Sequence, residues 1–162
     1  MKQGLPIYDV NTAPADSRPL LAGVQSAYGF IPNSLGMMAE APAALEAYLS
    51  LYGPFEKTRF SNEERFVVML ATSRETECPY CVPAVSTLAK MQGVPADTVK
   101  RLRERQPLKD AKLEALRRFT ERLVRQQGWV TGKDIGEFTT AGYSRWHVFE
   151  VILIALTKFL AI

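Results

Sequence analysis

The sequence predicts an all-α fold, on three observations. Apolar residues recur at spacings of three and four along the whole chain. No stretch alternates with the period of two that a half-buried strand requires. Helix-start and helix-stop residues fall at the ends of these periodic stretches, the clearest being Ser61-Asn62-Glu63-Glu64, a capping box with a hydroxyl at the N-cap and a carboxylate three residues on. A length of 162 residues suits one domain with its own core, or two small halves sharing one. Residues 1–162 are taken as a single helical bundle, with its distinctive motif at about 61–92.

The elements follow in order. Residues 1–13 read as extended, punctuated by Pro6 and Pro14. A helix from about Asp16 to Tyr28 carries the stripe Leu20, Leu21, Val24 and Tyr28, and Gly29 closes it. Ile31-Pro32-Asn33-Ser34 is a turn in which Asn33 or Ser34 caps a short helix through Met38. Pro42 opens the next helix, to about Leu51, and Gly53-Pro54 stops it. The capping box starts a helix from Asn62 to about Arg74, with Phe66, Val67, Met69, Leu70 and Ser73 inward. A helix from about Pro79 to Met91 carries two cysteines. Pro83 lies inside it, so it starts in effect near Val82 or kinks beside Cys81. Gly93 ends it. A short helix spans 95–105, and a longer one runs from Asp110 to Gln127, with Leu113, Leu116, Phe119, Leu123 and Val124 inward and Gly128 as its stop. Thr131 caps a helix ending at Gly142. Ser144 caps the last, whose stretch Val148 to Ile162 is apolar nearly all round and must be buried, here or against another subunit.

Composition narrows the function. Apolar residues make up 47% and charged residues 23%, ordinary for a soluble globular protein. The net charge of +3 does not call for a polyanionic partner. Ten of the twenty basic residues lie between Lys100 and Arg125, where the one aromatic, Phe119, faces inward and is not interleaved to stack bases, which reads as solvated helix faces and not as a nucleic-acid surface. The start, Met1-Lys2-Gln3-Gly4-Leu5-Pro6, lacks a signal peptide's apolar region. The longest apolar run, Val151 to Leu156, falls well short of the about 20 residues a bilayer crossing needs. The expectation is a cytoplasmic protein with no membrane partner.

The chemistry concentrates in Glu77-Cys78-Pro79-Tyr80-Cys81-Val82-Pro83, which holds the only two cysteines. A Cys-X-X-Cys pair is a redox dithiol, half of a metal site or a short structural disulfide. The metal reading lacks ligands, since the sole histidine, His147, is far away in sequence. A disulfide across so short a loop stabilises little. A redox dithiol fits best: a cysteine at a helix N-terminus is stabilised as thiolate, and its neighbour resolves the sulfenic acid to a disulfide. No cofactor and no metal are implied.

Phe60-Ser61, Glu64 to Arg74 and Cys78-Pro79-Tyr80-Cys81 resemble the carboxymuconolactone decarboxylase-like superfamily, within it the alkylhydroperoxidase D-like, peroxidase-related branch. Gly29 to Gly36, Ala41 to Tyr48, Gly142-Tyr143-Ser144 and Val148 to Leu153 are similar to flanking parts of that group. The resemblance implies an all-helical bundle that oligomerises through its helices as a trimer or hexamer. It also implies a thiol-dependent antioxidant oxidoreductase that reduces peroxide with a thiol or dithiol reductant. Carried over, Cys81 attacks and Cys78 resolves, whereas the helix dipole alone favours Cys78.

Two departures stand out. The family motif has a glutamate where this chain has Phe66 and a histidine where it has Val85. Those groups form the proton relay, and acid–base help of this kind is typically worth ~10²–10⁴-fold. The candidate substitutes are Glu63, Tyr80, and the pair His147 and Glu150, three apart on the last helix. Glu75 and Glu77 read as exposed turn charges. The alternatives to a peroxidase are a redox-responsive binding module without turnover, and a lyase of the decarboxylase kind acting on a small organic substrate.

Overall fold

The computed structural model describes residues 4–160, with Leu160 by its backbone alone; Ala161 and Ile162, the end of the expected last helix, and residues 1–3 of the expected extended start lie outside the described residues. The described secondary structure is helical throughout, as the spacing predicts. It divides into two compact units, one up to Glu56 and one from Lys57 onward.

The first unit holds α1 (Arg18–Tyr28), α2 (Asn33–Met38), α3 (Pro42–Ser50) and α4 (Tyr52–Glu56), after a 3₁₀ turn at Ala15–Ser17. Leu21, Val24, Leu35, Ala39, Leu45 and Tyr48 form its core, with Ala13. Gly29 ends α1 in the left-handed region at φ 77°, as expected. Neither Asn33 nor Ser34 caps α2; Pro32 occupies that position in an extended conformation and no side chain caps the helix. Gly53-Pro54 does not stop the chain either. Both lie in the first turn of α4, where a proline forfeits no helical hydrogen bond. At Gly36 an added Cβ would sit 2.7 Å from the Tyr8 carbonyl oxygen, so only glycine lets the 4–13 segment lie across α2.

The second unit is built around α5 (Asn62–Glu75), which packs against α6 (Cys81–Met91), α7 (Ala96–Arg103), α8 (Ala111–Arg125) and α10 (Arg145–Leu160); α9 (Gly132–Thr140) packs on α8 and α10. Surrounded on all sides, α5 buries every residue from Phe66 to Ser73, more than the one face its spacing marks. Ser61 and Glu64 form the expected capping box, as do Thr131 and Asp134 at α9, and Asp110 caps α8. No helix of the described residues is long and apolar enough to cross a membrane.

Candidate active site

The cysteine segment is shaped by how α5 ends. Glu77 N–H donates to the Arg74 carbonyl and Cys78 N–H to the Ser73 carbonyl, the two bonds of a Schellman turn. That turn places Glu77 in the left-handed region at φ 50°, a position glycine usually takes. Four residues later α6 begins at Cys81 rather than at Pro79. Pro83 is therefore its third residue, where a helical N–H has no intrahelical partner, and the helix has no need to kink.

Cys78 and Cys81 are joined in a disulfide, with Cα atoms 5.3 Å apart. Both are buried, at 5% and 3% exposure. The Cys81 N–H donates to Cys78 Sγ at 3.0 Å. Val85, one turn after Cys81 on the same helical face, is buried, and so is Phe66. Both positions that carry the relay in the resembled family are thus apolar and dry. Tyr80, directly before Cys81, is half-buried.

Two guanidinium groups hold the end of α5. Arg125, in the last turn of α8, binds both oxygens of Glu75, at 2.6 and 2.9 Å. Arg105 donates to the Arg74 carbonyl at 3.0 Å. The sequence reading of Glu75 as an exposed turn charge is corrected here: its side chain is 6% exposed, because α8 lies along α5 and brings Arg125 to it. Glu77 is exposed as expected. Neither arginine was singled out from the sequence. Their only signal was membership of the basic 100–125 stretch, whose charges read as solvated.

The remaining candidates gather at the other end of α5. Glu63 accepts a hydrogen bond from the Thr98 hydroxyl at 2.7 Å. His147 is the third residue of α10, and its Nδ1 accepts from the Ser144 N–H at 2.9 Å. The imidazole thus does the reciprocal capping work that a glutamate does in a capping box. Its ring lies against Phe60 and Tyr143, with centroids 4.9 and 5.3 Å away. Glu150 accepts the Arg59 N–H on both oxygens, at 3.1 and 3.2 Å. Arg59 and Phe60 lead into α5, whereas the disulfide follows its last turn. Asn62 donates to the Gln92 carbonyl, joining the start of α5 to the end of α6, so the two helices run antiparallel. A helix the length of α5 separates its ends by about 20 Å. The structure brings Cys78, Cys81 and Tyr80 together and holds Glu63, His147 and Glu150 in local structure at the opposite end.

That end also holds a cleft of about 460 Å³, lined by Ser61, Glu63, Asp97, Arg101, Lys109 and Lys112 among others. Within it Asp97 pairs with Arg101 and Lys109, and Glu64 with Lys112. Burial opposes ionisation of Glu64, but the Ser61 N–H, Lys112 and the Tyr143 hydroxyl outweigh it and hold the carboxyl below its usual value. Burial first, then the Glu64 charge, pushes the Tyr143 hydroxyl up. Among the described residues, no group of three or more His, Cys, Asp or Glu side chains is placed to hold a metal ion.

No protein-family model matches the chain, and neither does any curated protein. Solved structures do. An alkylhydroperoxidase D core, an uncharacterised peroxidase-related protein from Ralstonia eutropha JMP134, superposes with a TM-score of 0.81 at 18% identity, over 96% of this chain and 84% of that one. An uncharacterised peroxidase-related protein from Silicibacter sp. TM1040 gives 0.78 at 20% identity, over 98% and 83%. A cysteine-to-alanine variant of a debrominase, in complex with 2,3,4-tribromopyrrole, gives 0.80 at 19% identity, over 99% and 87%. Likeness over nearly the whole chain, with helices in the same arrangement, establishes that this protein has the fold of the alkylhydroperoxidase D core, the fold its motif resemblance implies.

Proposed function

We propose that the protein is a thiol-dependent oxidoreductase of the peroxidase-related kind. Cys78 and Cys81 cycle between dithiol and disulfide and reduce a hydroperoxide or another small organic electrophile at the expense of a dithiol reductant. The observation that carries this reading is the closed Cys78–Cys81 pair at the start of α6, formed by the only two cysteines of the chain. A disulfide across so short a loop does little for stability, which leaves redox cycling as its use. Two neighbours of the same fold are described as peroxidase-related. Cycling of this kind suits a reducing, cytoplasmic setting, where permanent disulfides are rare.

With Phe66 and Val85 in place of acid–base partners, water must supply the proton to the leaving alkoxide. Turnover is expected to fall below that of a relay-bearing enzyme by about 10²-fold or more. Stopped-flow mixing of reduced protein with an organic hydroperoxide, and separately with a bromopyrrole, tests the reading. Disulfide formation at a rate proportional to the electrophile supports it. Consumption no faster than in a Cys78→Ser, Cys81→Ser double variant refutes it.

The reading includes self-association. Trp146, Phe149, Ile152, Leu156 and Phe159 form an exposed stripe along α10, with Phe149 73% and Trp146 62% exposed. Leu153 joins Trp146 and Phe149 in an apolar groove. These five side chains present on the order of 500 Å² of apolar surface. Two copies facing each other would bury about 1,000 Å², the least that a biological interface is expected to bury. A second copy of this chain is the proposed occupant.

A further inference from the structure

The two sulfurs of the disulfide stand in unlike surroundings, and the difference bears on which one reacts. Cys81 is the first residue of α6. Its N–H is among those that a helix leaves without a carbonyl partner. That N–H is spent on Cys78 Sγ, at 3.0 Å. Among the described residues it is the hydrogen bond that either sulfur receives. Cys81 Sγ instead shares its face with Val85, one turn on and buried. Two hydroxyls of α6 are occupied: Ser86 donates to the Val82 carbonyl and Thr87 to the Pro83 carbonyl.

Neighbouring charges do not reverse this difference. Three of the last four carbonyls of α5, whose negative pole faces the same turn, are already engaged. Thr72 O takes the Thr76 N–H, Ser73 O takes the Cys78 N–H, and Arg74 O takes the Glu77 N–H and Arg105. Glu75 is held by Arg125. Glu77 is exposed, where solvent and salt screen it.

We propose that Cys78 is the attacking sulfur of the pair and Cys81 the resolving one, the reverse of the roles the family resemblance implies. The assignment rests on the dithiol reading above. In the reduced protein the Cys81 N–H and the positive end of α6 stabilise a thiolate on Cys78. That thiolate attacks the terminal oxygen of a hydroperoxide. The O–O bond breaks, sulfur is oxidised by two electrons to a sulfenic acid, and the alkoxide takes a proton from water and leaves as the alcohol. Cys81 then attacks the Cys78 sulfur, water departs, and the disulfide forms. A dithiol reductant reopens it and is itself oxidised to a disulfide.

The test is a competition within the wild-type protein. The reduced full chain is treated with substoichiometric iodoacetamide at pH 6.5, and the labelled cysteine is identified by peptide mapping. A hydrogen bond to a charged acceptor should favour Cys78 by about tenfold or more. Labelling of Cys81 to an equal or greater extent overturns the assignment. Single variants repeat the comparison. Cys81→Ser should release thionitrobenzoate from Ellman's disulfide about tenfold faster than Cys78→Ser at the same pH, and equal or reversed rates count against the proposal. The wild-type measurement stands even if a variant fails to fold. Because neither arm uses peroxide, failed hydroperoxide turnover would sink the peroxidase reading alone, and a wrong labelling order would sink this one alone.

Discussion

Glu77 sits where the backbone between α5 and the dithiol must turn left-handed, at φ 50°. A residue with a Cβ pays roughly 1–2 kcal/mol there, part of which glycine would return as chain entropy. Glu77→Gly should therefore stabilise the fold by about 0.5–1 kcal/mol, read from the urea midpoint at unchanged slope. Lys158 is a second residue at odds with its surroundings. It is 6% exposed in α10, and burial pushes its ammonium down to about 8, from 10.5. Its folded value lies below its unfolded value. Between pH 8 and 10.5 the unfolded chain thus binds the extra proton, and stability rises with pH through that window. Below pH 8 the full penalty applies. Lys158→Met should raise stability at pH 7 by roughly 2–3 kcal/mol and flatten that rise, and denaturation at several pH values would show both. An unchanged pH slope in the variant would mean that Lys158 is not the titrating group.

At the scale of elements, the ion pair between Glu75 and Arg125 fastens α8 to the end of α5 that leads into the dithiol. Arg125 is largely exposed, but its carboxylate partner is not. Arg125→Ala would leave that carboxylate unpaired and should cost about 1 kcal/mol, more than a solvent-exposed pair contributes. The loss should appear in thermal melts and persist in moderate salt. How legible each element was in the sequence follows from the range of the forces that build it. Ser61 and Glu64 could be read directly, because a capping box is settled within four residues. The start of α6 could not. Pro79 and Pro83 are both acceptable in a first turn, and the Schellman end of α5 decided between them. His147 and Glu150 share a helical face, as their spacing says, but the spacing does not say that Ser144 and Arg59 N–H claim them. Glu75 was misread because its partner lies fifty residues away.

For the molecule as a whole, the exposed α10 stripe is the proposed self-association face. Phe149 is its most exposed member, and a charge there would face the same charge on the second copy. Phe149→Glu should shift sedimentation toward the single chain at micromolar concentration while leaving helical content unchanged. Sedimentation identical to wild type would show that this face is not the interface. The same stripe makes the protein its own optical probe. The chain has two tryptophans, Trp129 at 84% exposure and Trp146 at 62%. In an isolated chain both indoles face water and emit toward the red. Pairing through α10 covers Trp146 and lifts it from solvent, while Trp129 stays wet. Assembly should therefore split the emission into a blue-shifted component, shielded from an aqueous quencher, and an unshifted, quenchable one, with no label attached.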